Sequence, residues 1–187
     1  AAIYFANPGT PANMTIEKCK FENNTAISSG GAVYLLGRGH KLTDNNFTNN
    51  NATGNSANGG ALYLKANDVT ITNNRFIKNN AYSYGGALIG DEYSQNFKIT
   101  GSYFADNTGW DAGAIDLYAV TGASITDSTF DHNLADRSGS AIFMSGDEVN
   151  VTGCNFTNHK VGSATQSGTG TVYIQSTNTK IKGSTFK

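Results

Sequence analysis

Four residues near the middle of the chain carry side chains suited to bond-breaking chemistry: Asp106, Asp111, Asp116 and His132. Paired carboxyl groups, one giving a proton and one assisting attack, hydrolyse glycosidic bonds. A carboxylate held beside Ca²⁺ can serve as the base of a polysaccharide lyase. Asp106 and His132 each stand two residues after a Phe, 26 positions apart, and Asp131 adjoins the histidine. A surface ion pair worth ~0–1 kcal/mol would account for the same residues without catalysis. A second set is suited to binding: Tyr34, Tyr63, Trp110, Asp116, Tyr118, Phe143 and Tyr173. An aromatic ring with a polar edge stacks on sugar rings or protein surfaces, and it also packs against its cross-strand neighbours. Trp110 is the only tryptophan. The doublets Asp91-Glu92 and Asp147-Glu148 complete the candidates. Ca²⁺ takes about six converging oxygens. Two doublets fall short of that, so no cofactor is expected and Ca²⁺ stays a remote alternative.

Other chemistries lack their residues. The chain has no nucleophile elbow, no phosphate-cradling Gly loop with its Lys, and no Cys/His zinc spacing. Net charge is −1 and the basic residues are scattered, which disfavours nucleic acid and anionic membrane surfaces as partners. No apolar run approaches the ~20 residues of a membrane span. Six Asn-x-Ser/Thr sequons, at Asn13, Asn23, Asn46, Asn51, Asn150 and Asn155, permit glycosylation without demanding it.

The elements that must position these residues are written in an internal repeat. Phe21, Phe47, Phe76, Phe104, Phe130, Phe156 and Phe186 follow one another at spacings of 26, 29, 28, 26, 26 and 30. Five positions before each stands an aliphatic residue: Ile16, Leu42, Ile71, Ile99, Ile125, Val151 and Ile181. Three positions after Phe comes Asn24, Asn50, Asn79, Asn107 and Asn133, and then His159. A Gly-Ala step follows in each unit, and the first and third residues after it are apolar, as in Val33 and Leu35 or Ile115 and Leu117. A period of two means strand. Gly90 takes the third position in its unit, where a bulge is expected.

Recurrence once per unit predicts coils stacked about 4.8 Å apart, with like residues in contact. The expected fold is all-β, a right-handed parallel β-helix of about seven coils of 26–30 residues, in one domain over residues 1–187. Aliphatic and Phe ladders would fill the interior, Asn would bridge coils, and the Thr row Thr43, Thr72, Thr100, Thr126 and Thr152 would face outward. Cys19 and Cys154 fall on one ladder five coils apart, roughly 24 Å by the strand spacing, and cannot form a disulfide. Both are expected to be free, buried thiols. The stripe running from Tyr4 through Tyr34, Tyr63, Ile89, Asp116 and Phe143 to Tyr173 is expected on the outside.

Gly30-Gly31-Ala32-Val33, Gly59-Gly60-Ala61-Leu62 and Gly85-Gly86-Ala87-Leu88, alternating with Phe21-Glu22-Asn23-Asn24 and its successors, carry a likeness. The chain resembles the chlamydial polymorphic membrane proteins and the adhesin-like surface proteins of methanogenic archaea. Gly139-Ser140-Ala141-Ile142 and Gly170-Thr171-Val172 depart from the motif. The resemblance implies a secreted or cell-surface β-helix concerned with adhesion. Function is therefore expected to be structural or adhesive, with carbohydrate or a surface protein as partner. A β-helical glycoside hydrolase or polysaccharide lyase is the alternative. Both ends of the sequence cut through the repeat, which points to processing, to a longer parent chain, or to head-to-tail assembly into a filament.

Overall fold

The computed structural model describes residues 1–6, 13–162 and 170–187. Among these every regular element is a β-strand, and no helix is long and apolar enough to cross a membrane. The chain lays four short strands per turn, one on each of four faces. Face A begins with Ile3–Ala6, face B with Thr15–Glu17, face C with Lys20–Glu22 and face D with Thr25–Ala26, after which Val33–Arg38 returns to face A. Each strand pairs in parallel with its equivalents one turn away, so faces A, B and C hold seven strands and face D six. The stack is thus six complete turns, counted from Ile3–Ala6 to Val172–Ile174, with part of a seventh, rather than seven full coils.

The sequence repeat is the hydrogen-bond register. Ile71 pairs with Leu42 and Ile99, and Phe76 with Phe47 and Phe104. From Phe47 to Phe156 the rings are fully buried and stack with centroids 4.7–5.0 Å apart. Burying each such side chain contributes about 1.5–3 kcal/mol, and each ring pair about 0.5–1.5 more. The ladders end in exposed rungs, Ile174, Ile181 and Phe186.

Residues in the left-handed backbone region turn the corners. Between faces B and C stand Asp44, Asn73 and Gly101; between C and D, Asn49, Lys78, Asp106 and His132; between A and B, Gly39, Asp68 and Asn96. Asn, Asp and Gly tolerate that conformation best, which explains their abundance. The D-to-A corner adds a second constraint. At Gly59-Gly60 the first glycine has φ +64°, and a Cβ on the second would collide with the carbonyl of Gly86 in the next coil. The Gly-Gly-Ala motif answers both demands.

Asn side chains tie the coils together inside the C-to-D corner. The carboxamide oxygen of Asn79 accepts from the backbone N–H of Asn50 at 3.0 Å and from its Nδ2 at 2.9 Å, while Asn79 Nδ2 donates to the carbonyl of Phe47 at 2.9 Å. Asn107 and Asn133 repeat the pattern. His159 continues it with an imidazole: Nδ1 accepts from the Asn133 N–H at 3.3 Å and Nε2 lies 3.2 Å from the Phe130 carbonyl. These contacts assign the neutral, Nε2-protonated tautomer. Burial holds its pKa below the ordinary histidine value. A parallel ladder runs through the B-to-C corner, where Cys154 and Cys19 stand with Asn45, Asn74, Ser102 and Ser128. Both cysteines are free, and Cys154 is buried as expected. Cys19, on the outermost described coil, is exposed.

Gly90 does not mark a bulge. It pairs in register with Leu64 and Leu117 and is buried. A Cβ there would come 2.6 Å from Cε2 of Phe97, a ring at a position where the neighbouring coils carry Val69 and Ala123. The large side chain has moved from one interior row to another, and the cross-section stays filled. We therefore expect Gly90→Leu alone to destabilise the protein by about 1–3 kcal/mol through overpacking, and Phe97→Ala alone by about 3–5 kcal/mol. The double variant should recover at least 1 kcal/mol over the sum, by urea denaturation, in roughly the range of neighbouring-site couplings.

A second expectation concerns His159. Its folded pKa is depressed, so the unfolded chain binds more protons, and its contribution to stability is present above the ordinary value of 6.5 and lost as pH falls through the folded pKa. The stability of the wild type relative to His159→Asn should decline as pH is lowered below about 6.5. A flat difference would show that the imidazole is not held neutral.

Candidate functional site

Departures from uniform coil length build the surface features. On face D, Gly59 lies eight positions after Asn51, against five from Asn80 to Gly85, four from Thr108 to Ala112, and five from Leu134 to Gly139. The short coil forces a register shift between Gly109 and Asp111, and the long one projects a three-residue turn around Asn55. A shallow cleft of about 580 Å³ lies between them, lined by Asn55, Asn80, Tyr82, Ser83, Tyr84, Thr108, Trp110 and Asp136. Tyr82 and Trp110 present large exposed faces, 57% and 46% accessible.

Next to the cleft in sequence is an ion pair between a buried carboxylate, Asp111, and a partly exposed guanidinium, Arg137. Arg137 grips Asp111 with two parallel hydrogen bonds, Nε to Oδ1 at 2.9 Å and a terminal guanidinium nitrogen to Oδ2. Asp111 is 2% exposed, and its carboxylate raises the Arg137 pKa further. Both residues adjoin the cleft in sequence, through Trp110 and Asp136. The pair clamps the shortened coil to its neighbour at the point where the register slips.

Face A carries the aromatic stripe, and the structure recesses its centre. Tyr4, Tyr34 and Tyr63 stack at 4.8 and 4.4 Å, and Phe143 on Tyr173 at 5.4 Å. Tyr63, Ile89, Asp116 and Phe143 are nevertheless buried. Tyr63 donates its hydroxyl hydrogen to Asp91 on the adjoining turn, and burial together with that bond pushes its pKa up. Lys65 reaches Glu92 at 3.6 Å. Asp116 is 1% exposed, and its Oδ1 has no hydrogen-bond partner. Burial, reinforced by Asp111 and Asp91, drives its pKa well above the ordinary carboxyl value, against the opposing pull of Arg137. Asp116 is therefore an enclosed acid whose surroundings favour the neutral form.

Of the residues singled out for catalysis, Asp111 and Asp116 lie close enough to feel each other's charge, whereas Asp106 and His132 stand at another corner of the coil. Asp106 and His132 are exposed corner residues with φ +54° and +48°. His132 pairs with Asp131 at 3.0 Å and not with Asp106. Hydrogen bonds from Thr157, Asn158 and His132 bring the Asp131 pKa down to about 2. Asp111 is occupied by Arg137, and Asp116 is enclosed. Of the residues singled out for binding, Trp110 lies in the face D cleft; Tyr34, Tyr63, Asp116, Phe143 and Tyr173 lie on face A; Tyr118 is exposed just beyond it. Asp91 and Asp147 spend their oxygens on protein partners, Asp147 on Thr177 and Asn178. Among the described residues no group of three metal-ligating side chains comes together. Tyr82, Tyr84 and Asp136 were not anticipated; the unequal counts between the Asn row and the Gly-Gly-Ala step were the available signal.

Four parallel faces wound on one axis, with the cleft on one of them, define a parallel β-helix with a surface site. The chain belongs to the family described as right handed beta helix region, whose model matches residues 1–186. Neither the curated proteins nor the solved structures gave a match to the chain.

Asp116 generates a prediction. A raised folded pKa means that its contribution is favourable below the ordinary value of 3.8 and is lost as pH rises through the folded pKa. Asp116→Asn, which keeps the shape without the titration, should gain stability relative to the wild type as pH rises from 4 to 8. Urea midpoints across that range check it, and a constant offset would rule the protonated state out.

Proposed function

We propose that this chain is a non-catalytic, cell-surface or secreted adhesive module that binds carbohydrate in the face D cleft. The observation that carries the reading is the pairing of two exposed aromatic faces, Tyr82 and Trp110, with amide and hydroxyl groups of Asn55, Asn80, Ser83 and Thr108 along one shallow groove. Sugars offer apolar C–H faces to aromatic rings and hydroxyls to amides, and an open groove admits a chain longer than its own floor. The likeness of the repeat to polymorphic membrane proteins and methanogen adhesin-like proteins supports the surface setting. The engagement of Asp111 by Arg137, the enclosure of Asp116 and the placement of Asp106 and His132 at a separate exposed corner support binding over turnover.

Because Trp110 is the sole tryptophan, its fluorescence reports the site directly. Titration with neutral, acidic and amino oligosaccharides should shift that emission for at least one class. Calorimetry with the same ligand should show Trp110→Ala weakening binding by roughly tenfold, since an aromatic stack is worth about 0.5–1.5 kcal/mol beyond the area it buries. Asp106→Asn should leave affinity unchanged, and no reducing ends should be released. A fluorescence titration blank for every glycan class sinks the proposal.

A further inference from the structure

The charge of the cleft narrows the class of sugar, on the reading that the cleft binds glycan. Asp136 is the one charged side chain among the described residues lining it, and it is exposed. The cation closest in sequence, Arg137, is committed to Asp111 through two hydrogen bonds, so that pair is neutral as a unit. Asp116, on the adjoining face, is enclosed and adds no accessible group. The groove therefore presents three aromatic rings, Tyr82, Tyr84 and Trp110, several neutral donors and acceptors, and one carboxylate with no ion-pair partner among the described residues.

Such a surface repels uronates and other acidic sugars, which would need a basic partner here, and has a carboxylate left over for a cation. Electron-rich ring faces favour a cation as well. We propose that the glycan held in the cleft contains hexosamine units with a free ammonium group, which pairs with Asp136 while Trp110 and Tyr82 stack on the sugar faces. No covalent step is involved.

The test compares glucosamine oligomers with N-acetylglucosamine oligomers of equal length, by Trp110 fluorescence and calorimetry, at a pH where the sugar amines are protonated. The free amines should bind roughly tenfold tighter, as one charge-assisted hydrogen bond allows. Added salt should narrow the gap. Asp136→Asn, shown to be folded by circular dichroism, should close it while leaving the acetylated oligomer unaffected. Equal affinity for the two oligomers, or a preference untouched by Asp136→Asn, overturns the assignment while leaving glycan binding intact. A trilysine peptide that binds when glucosamine oligomers do not overturns it in favour of a protein partner. Failure of every glycan removes both this inference and the reading beneath it.

Discussion

Every feature of this protein depends on one coil lying in register on the next at the spacing of paired strands. That distance fixes what each position can be. An aliphatic residue or Phe fits a row because its copies above and below supply the van der Waals surface it loses from water. An Asn fits a corner because its copies supply both the acceptor and the donor it needs, so that a buried amide carries no unsatisfied group. A polar interior edge and an apolar core therefore coexist without compromise, and His159 joins the polar row by offering the same acceptor and donor from a ring.

Identical coils would give a featureless rod, so the surface that can recognise anything arises where one coil is longer or shorter than its neighbours. The face D cleft is such a place: an extended coil around Asn55 raises a wall, and a contracted one at Trp110 lowers the floor. The contraction leaves Asp111 inside, and Arg137 reaches it from the partly exposed surface. Replacing a buried charge requires a partner, and the bidentate fork is the geometry that provides it. The other enclosed acid, Asp116, has no such partner among the described residues, and burial favours its protonated form.

The ladders were legible in the sequence because they are made of identity: the same residue type at the same phase, with no long-range inference needed. The Phe, aliphatic and Asn rows all stand where counting put them. What counting could not supply was the meaning of exceptions. Asp106 and His132 look chemical by type, yet they hold their places by tolerating a left-handed backbone. Gly90 looks like a break in a strand, yet its missing side chain is filled by Phe97 from another row of the same cross-section. Tyr82 and Asp136 escaped notice because they belong to no row. Trp110 was found only because it is unique, whereas its neighbours in the cleft depend on a slip of one residue that alters which side chains face one another.

The Asn row has one more property. From Asn50 to Asn133 every side-chain carbonyl points toward the N-terminal coils, and each accepts its hydrogen bond from the coil before it. Aligned amides polarise one another. The spine consequently has a sense, like an arrow. The two ends of this row are thereby unlike, the C-terminal end offering donors and the N-terminal end acceptors.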